Sequence, residues 1–166
     1  MDIEKEQQMA EFVREYGDDL LRMCFLYLHD LQQAEDAVQD TFLKAYMSYA
    51  QFRGEASVKT WLMRIAMNTC KNYLRKHKPE LTNIPEILES IPCGNDSESS
   101  ARDEYITQTV MELPLRYQKP ILLYYYQGLS IKEVAYVLGI PESTVKTRLS
   151  RAKGRLKIAL KGWIES

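Results

Sequence analysis

Apolar residues recur at three- and four-residue intervals through most of the chain, the period of α-helices that each bury one face. Over about residues 4–28 the spacing predicts a first helix burying Met9, Phe12, Tyr16, Leu20, Cys24 and Tyr27. A second, over about 32–50, is predicted to bury Ala34, Val38, Phe42, Ala45 and Tyr49. After a loop at 52–56, Ser57 can cap a third helix that runs to about His77 and buries Val58, Trp61, Leu62, Ile65, Ala66, Thr69 and Tyr73.

The opposite faces of the last two helices are not plain solvated surface. Asp36, Gln39, Asp40, Leu43 and Met47 share one side of the second helix, mixing acids with large aliphatic groups. One exposed Leu means little, but the patch as a whole favours a protein interface. On the third helix Arg64, Asn68, Lys71, Asn72 and Arg75 form a polar stripe, with Lys76 and Lys78 at its end. The terminal cations also suit the helix dipole. The two Asn are harder to explain that way, because Asn is a poor helix former whose amide can read base edges. A nucleic-acid surface suited to unpaired bases follows.

The segment LSIKEVAYVLGIPESTVKTRLSRAKGRLKIAL, residues 129–160, reads as a helix-turn-helix. Ser130 and Glu133 have the spacing of a capping box, and Ile131, Val134, Ala135 and Leu138 form an apolar face that stops at Gly139. Pro141 stands where the next helix can begin, because its missing N–H costs nothing there. In that second helix Val145, Leu149, Ala152 and Leu156 fall on the buried side. Ser143, Thr147, Ser150, Arg151 and Gly154 fall on the outer side, flanked by Lys146, Lys153 and Lys157. From 142 to 166 there are seven Lys or Arg against two Glu. Such a face can donate to guanine and pair adaptably elsewhere in a major groove. An ordinary amphipathic helix with a solvated basic face is the competing reading; the agreement of capping box, glycine turn and apolar spacing favours DNA.

Charge is segregated along the chain rather than large in sum, the net value being −1. Residues 79–103 hold three Pro, six acids and one Arg, the composition of a linker. It would serve as a flexible tether or follow a path through a partner's cleft, with Ile84, Ile87, Leu88 and Ile91 free to dock locally. A chain of 166 residues, 45% hydrophobic and 27% charged, suits one globular domain or two small ones. No apolar run approaches the ~20 residues that span a bilayer, and the acidic start MDIEKEQQ does not read as a signal peptide, so a cytoplasmic protein is expected. Cys24, Cys70 and Cys93 make no C-x-x-C, and only two His accompany them, so no disulfide framework or metal site is indicated. Neither His29 nor His77 has an evident catalytic neighbour, and no cofactor-binding motif is present: the expectation is a binding protein, not an enzyme.

Three stretches taken together, AEDAVQDTFLKAY (34–46), FRGEASVKTWLMRIAMNTCKNYLRK (52–76) and LPLRYQKPILLYYYQGLSIKEVAYVLGIPESTVKTRLSRAKGRLK (113–157), resemble the extracytoplasmic-function (ECF) sigma factors of bacterial RNA polymerase. The resemblance implies an all-α chain with a sigma-two-like domain at 1–78, a linker at 79–103 and a sigma-four-like helix-turn-helix domain at 104–166. It implies docking of Asp36, Gln39, Asp40, Leu43 and Met47 on the β′ clamp helices of core polymerase, with the second domain on the β flap. Minus-ten recognition and melting would fall to the loop at 52–59, with Arg53, Ser57 and Lys59, and to Arg64, Asn68, Lys71, Asn72 and Arg75, the two Asn at base-reading positions. Minus-thirty-five recognition would fall to Ser143, Lys146, Thr147, Ser150 and Arg151, supported by Arg148 and Lys153. An anti-sigma factor, membrane-anchored in the usual arrangement, and a role in a stress or envelope response are further implications. Pro120 departs from the pattern, because it falls within a helix expected at 116–127 where proline is tolerated only near the start. The rival reading is a stand-alone helix-turn-helix regulator, which accounts for the C-terminal half alone.

Overall fold

The computed structural model describes residues 2–76, 84–92 and 101–165, with side chains except at 101–103 and 162–165; no strand occurs among the described residues. His77, Lys78 and Cys93, and residues 79–83 and 93–100 of the expected linker, lie outside the described residues. The chain divides into two compact units, Met1–Gly94 and Asn95–Ser166.

In the first unit α1 (Ile3–Leu28), α2 (Leu31–Ser48) and α3 (Val58–Lys76) pack on one another. Each starts at a side-chain cap: Asp2 accepts from Lys5 N at 3.2 Å, Asp30 from Gln33 N at 2.9 Å and Ser57 Oγ from Thr60 N at 3.1 Å. Each such cap satisfies an orphan donor, worth about 1 kcal/mol. His29 ends α1 in the left-handed region, φ 59°, and donates its N–H to Phe25 O at 2.8 Å.

The core is built where α1 ends. Met23, Cys24, Phe25, Leu26, Tyr27 and Leu28 are all buried, so this turn and a half is enclosed on every side, by α2 and by α3, whose Leu62, Met63, Ala66 and Cys70 are buried too. Fully burying one aliphatic side chain of this size contributes about 1.5–3 kcal/mol. Cys24 and Cys70 are fully buried free thiols; the hydrogen bond between them, with burial, raises the Cys24 pKa well above its usual value.

The buried face of α2 differs from expectation. Ala34, Ala37, Thr41 and Ala45 face the core, while Val38, Phe42 and Tyr49 are only half-buried. Small residues let α2 approach α1 and α3 closely, which leaves the larger side chains at the rim of the contact. The stretch read as linker also contains structure. Helix α4 (Ile84–Ser90) lies against α1 with Ile84 and Leu88 buried, as is Ile91 just beyond it, and Arg22 donates to Leu88 O and Ile91 O at 3.2 and 3.4 Å.

The second unit comprises α5 (Ala101–Met111), α6 (Leu115–Ile121), α7 (Ile131–Leu138) and α8 (Glu142–Glu165). Helix α6 starts after Pro114, so Pro120 sits in its second turn rather than at its start. Pro120 has no N–H for the i→i−4 ladder, and directly after it the chain widens into a π turn over Leu122–Tyr126, with Gln127 N reaching back to Leu122 O at 3.1 Å. Buried Gln118 donates to Met111 O and Val110 O at 3.0 and 3.3 Å and so closes the end of α5.

The capping box of α7 is complete. Glu133 N donates to Ser130 Oγ at 3.1 Å and Ser130 N to the Glu133 carboxylate at 3.0 Å. Gly139 ends the helix at φ 66°, a conformation that suits glycine. Val134, Ala135 and Val137 of α7, Val145, Leu149 and Ala152 of α8, and Ile121, Leu122 and Leu123 make the core of this unit.

Candidate protein and nucleic-acid interfaces

On α2, Asp36, Gln39, Leu43 and Met47 are exposed, Leu43 at 59% and Met47 at 79%. Asp36 accepts from Gln32 at 3.3 Å. Asp40 is turned toward α3, where it accepts from the Tyr73 hydroxyl at 2.7 Å, and that bond, with burial, pushes the Tyr73 phenol up to about 12. Beside this face runs a groove of about 650 Å³ between α1 and α2, with Met9, Val13, Val38, Phe42 and Leu43 on its walls and Glu35 and Asp36 on its rim. An apolar floor with an acidic edge has the chemistry to receive an amphipathic basic helix.

On α3 the five residues Arg64, Asn68, Lys71, Asn72 and Arg75 are all exposed and form one continuous stripe. Asn68 and Asn72 stand one turn apart, so both amides reach the same side. The helix is anchored behind them to α2 by Lys44 Nζ, which donates to Thr69 Oγ1 at 3.0 Å, while Thr69 Oγ1 donates within α3 to Ile65 O at 2.8 Å.

The loop before α3 rests on rings. Phe52 stacks on Trp61 with centroids 4.5 Å apart, and Tyr49 and Phe12 continue the cluster through tilted contacts of 6.5 and 6.2 Å. Gly54 takes φ 73° at the tip, and Arg53 and Ser57 are exposed. Lys59 instead pairs with Asp19 at 3.6 Å, a half-exposed ion pair worth at most about 1 kcal/mol. The arrangement can hold a small planar group against a fixed aromatic support.

On α8, Ser143, Lys146, Thr147, Ser150, Arg151 and Lys153 are exposed along one side. Thr147 Oγ1 donates to Ser143 O at 3.0 Å, which leaves its lone pairs and methyl outward. Lys153 lies 5.4 Å from the Tyr125 ring, and hydrogen bonding to that tyrosine raises its pKa. Arg148 departs from the others: it is half-buried and lines a cleft with Arg116, Tyr117, Ser143, Thr144, Thr147 and Arg151. Arg116 and Tyr117 carry no role in the sequence reading. The signal was there, since Arg148, Arg151 and Arg155 recur at helical spacing on the flank that meets α6, but it becomes legible only once α6 is placed.

No helix among the described residues is long and apolar enough to cross a membrane. Family models match twice: sigma-70 region 2 over residues 12–80, and sigma-70 region 4 over residues 103–156. The chain is 32% identical to an RNA polymerase sigma-H factor of Pseudomonas aeruginosa, over 95% of this chain and 94% of that protein. It is 34% identical to the ECF RNA polymerase sigma factor SigM of Bacillus subtilis, over 89% and 91%. Among solved structures it is similar to the sigma factor RpoE of Bartonella quintana, crystallised with the anti-sigma factor NepR, at 25% identity and TM-score 0.68 over 91% of this chain and 97% of that one. A fold likeness extends to CnrH, solved with the cytosolic domain of CnrY, with TM-score 0.73 and 22% identity over 95% and 90% of the two chains.

Proposed function

The chain belongs to the ECF sigma factors of the sigma-70 family, and on that premise we propose how its surfaces divide the work of transcription initiation. The exposed side of α2, with Asp36, Gln39, Leu43, Met47 and the adjoining groove, docks on the β′ clamp helices of core polymerase, while the second unit engages the β flap. Asp40 contributes from the edge of that face, through the carboxylate oxygen that Tyr73 leaves unused.

The stripe on α3 meets the non-template strand of the minus-ten element. Asn68 and Asn72 satisfy base edges that are exposed only after unpairing, and Lys71, Arg64 and Arg75 hold the phosphates. The loop with Arg53, Ser57 and Lys59 receives a flipped base over its aromatic support. Capturing that base offsets part of the few kcal/mol that unpairing costs. Helix α8 reads the minus-thirty-five duplex with Ser143, Lys146, Thr147, Ser150 and Arg151, and Lys153 steadies it. The phosphoryl-transfer chemistry belongs to polymerase, so the chain acts by binding alone, in the cytoplasm. The groove on the first unit is also where an anti-sigma factor, membrane-anchored, would compete with polymerase.

The observation that carries this reading is the pairing, within one unit, of two exposed Asn amides on α3 with an apolar and acidic face on α2. A stand-alone duplex regulator would use α8 and leave both without a role. Run-off transcription by the full chain with core polymerase, combined with permanganate footprinting of unpaired thymines, tests it. Asn68→Ala with Asn72→Ala should suppress minus-ten opening while upstream protection persists. Opening that survives both substitutions would refute the assignment of α3.

A further inference from the structure

A cleft of about 360 Å³ lies between α6 and α8, lined by Arg116, Tyr117, Ser143, Thr147, Arg148 and Arg151 among others. At its wall two guanidiniums approach the ring of Tyr117. The guanidinium of Arg116 lies 4.7 Å from the Tyr117 ring centroid and that of Arg155 lies 4.8 Å from it. Tyr117 is buried, so the ring is fixed, and Arg116 also hydrogen-bonds to its hydroxyl; a guanidinium carries five N–H donors, so others remain for an anion. None of Arg116, Arg148, Arg151 or Arg155 has an acidic partner among the described residues. Guanidinium groups gathered without a carboxylate repel one another, an arrangement that becomes favourable when an anion enters. The groups already respond to one another: the hydrogen bond and charge of Arg116 draw the Tyr117 phenol below its usual range, and burial together with the charge of Arg148 lowers the Lys119 pKa.

We propose that this cleft is a preformed seat for a single backbone phosphate of duplex DNA, gripped by Arg116 and Arg148, with Tyr117 as the positioning residue that holds Arg116 and Arg155 in place. The inference rests on the reading of α8 as the upstream DNA reader and adds to it a contact from α6, outside the helix-turn-helix. A bidentate guanidinium matches the geometry of two non-bridging phosphate oxygens, and the hydroxyl of Ser143 at the cleft's edge can donate to the same group, whereas that of Thr147 is held by Ser143 O. A phosphate fixed here would set the register of α8 in the groove without reading sequence itself.

The test uses the full chain assembled with core polymerase on promoter duplexes that carry a neutral methylphosphonate at one upstream position at a time. For the wild-type protein one position should weaken binding by roughly fivefold near 0.15 M salt, the electrostatic share of a single phosphate contact. Arg116→Ala should lose about the same factor on every promoter sequence, flatten the slope of log K against log salt by about one unit, and become indifferent to that methylphosphonate. Arg116→Lys should restore the salt slope but not the full affinity, because it keeps the charge and loses the fork. Tyr117→Leu should behave as a weaker Arg116→Ala; because it also removes a buried ring, its melting temperature is measured beside it, and exposed Arg116, whose replacement leaves the core intact, decides the test. Arg116→Ala binding with the wild-type salt slope and the wild-type methylphosphonate response, while the wild type still binds promoters specifically, would overturn the seat and leave the reading of α8 intact. Loss of all upstream specificity in the wild type would instead remove the reading on which the seat depends.

Discussion

Leu43 and Met47 offer the sharpest test of polymerase docking, because they are the largest exposed apolar groups of α2 and neither supports the core. Leu43 is 59% and Met47 79% exposed. Complete burial of such a side chain contributes about 1.5–3 kcal/mol, so covering the exposed fractions yields roughly 1–2 kcal/mol at each position and about 2–4 kcal/mol for the pair. Replacing both by Ala should therefore weaken core-polymerase binding roughly thirtyfold to several-hundredfold. Folding should hardly change, since surface substitutions of this kind stay within about 0.5 kcal/mol. Asp at both positions should abolish binding, because it carries charge into a contact that excludes water. Asp40→Arg is a poorer probe: it also removes the acceptor of the Tyr73 hydroxyl, so any loss would mix docking with repacking. Competition binding, in which unlabelled variants displace a labelled wild-type chain from core enzyme, gives the ratio of affinities, and thermal melts of the free variants give the control. Unchanged affinity for the Ala pair would refute docking through this face, as would a loss no larger than the accompanying loss of stability.

Two further outcomes follow from single bonds. Tyr73 has a folded-state pKa near 12, above the ordinary value of 10.0, because its hydroxyl donates to Asp40; the protonated form is favoured by folding, so its stability contribution is complete below pH 10, declines above it and is gone once the pH passes 12, and Tyr73→Phe should flatten that part of a stability-against-pH curve from urea melts. Ser130→Ala removes one half of the capping box and should destabilise the second unit by about 1 kcal/mol, while adding Glu133→Ala should cost less than its effect alone, a non-additivity that chemical denaturation of the single and double variants would expose.

The caps and turns were the most legible part of this fold. Ser57, Ser130 and Gly139 act through groups close in sequence, so their spacing alone foretold their bonds. The exposed stripes on α3 and α8 were legible for the same reason, because a helix with one buried face fixes which residues share the other. The register of α2 was not. Large apolar residues dominate any periodicity, but close approach of three helices is made by small ones, so Ala37 and Thr41 took the core positions assigned to Val38 and Phe42. Bonds between helices were illegible too. Nothing in the sequence announces that Asp40 would turn to Tyr73, that Lys59 would meet Asp19, or that Arg22 would hold the carbonyls at the end of α4. Pro120 was visible as a break, but the π turn that absorbs it depends on the surrounding packing of Leu122 and Leu123.

Those interhelical bonds bear on how the first unit would work. The proposed docking face belongs to α2 and the proposed base-reading stripe to α3, and the two helices are joined by polar links as well as by their core. Asp40 to Tyr73 at 2.7 Å and Lys44 to Thr69 at 3.0 Å span the contact about one helical turn apart on each helix. Tyr73 directly follows Asn72, and Thr69 directly follows Asn68, so each bond pins α3 beside one of the two amides. An apolar contact alone would permit small sliding and rotation of α3, because dispersion attraction is not directional. A directed bond beside each Asn resists both motions. On the proposed reading the amides would enter the bubble preorganised, and less of the free energy of base capture would be lost to ordering the reader. Fixing α2 on polymerase, as proposed, would therefore fix the geometry of the stripe as well. In the proposed arrangement docking would position the reader without any change of fold, and polymerase would raise the effective concentration of the stripe beside the promoter.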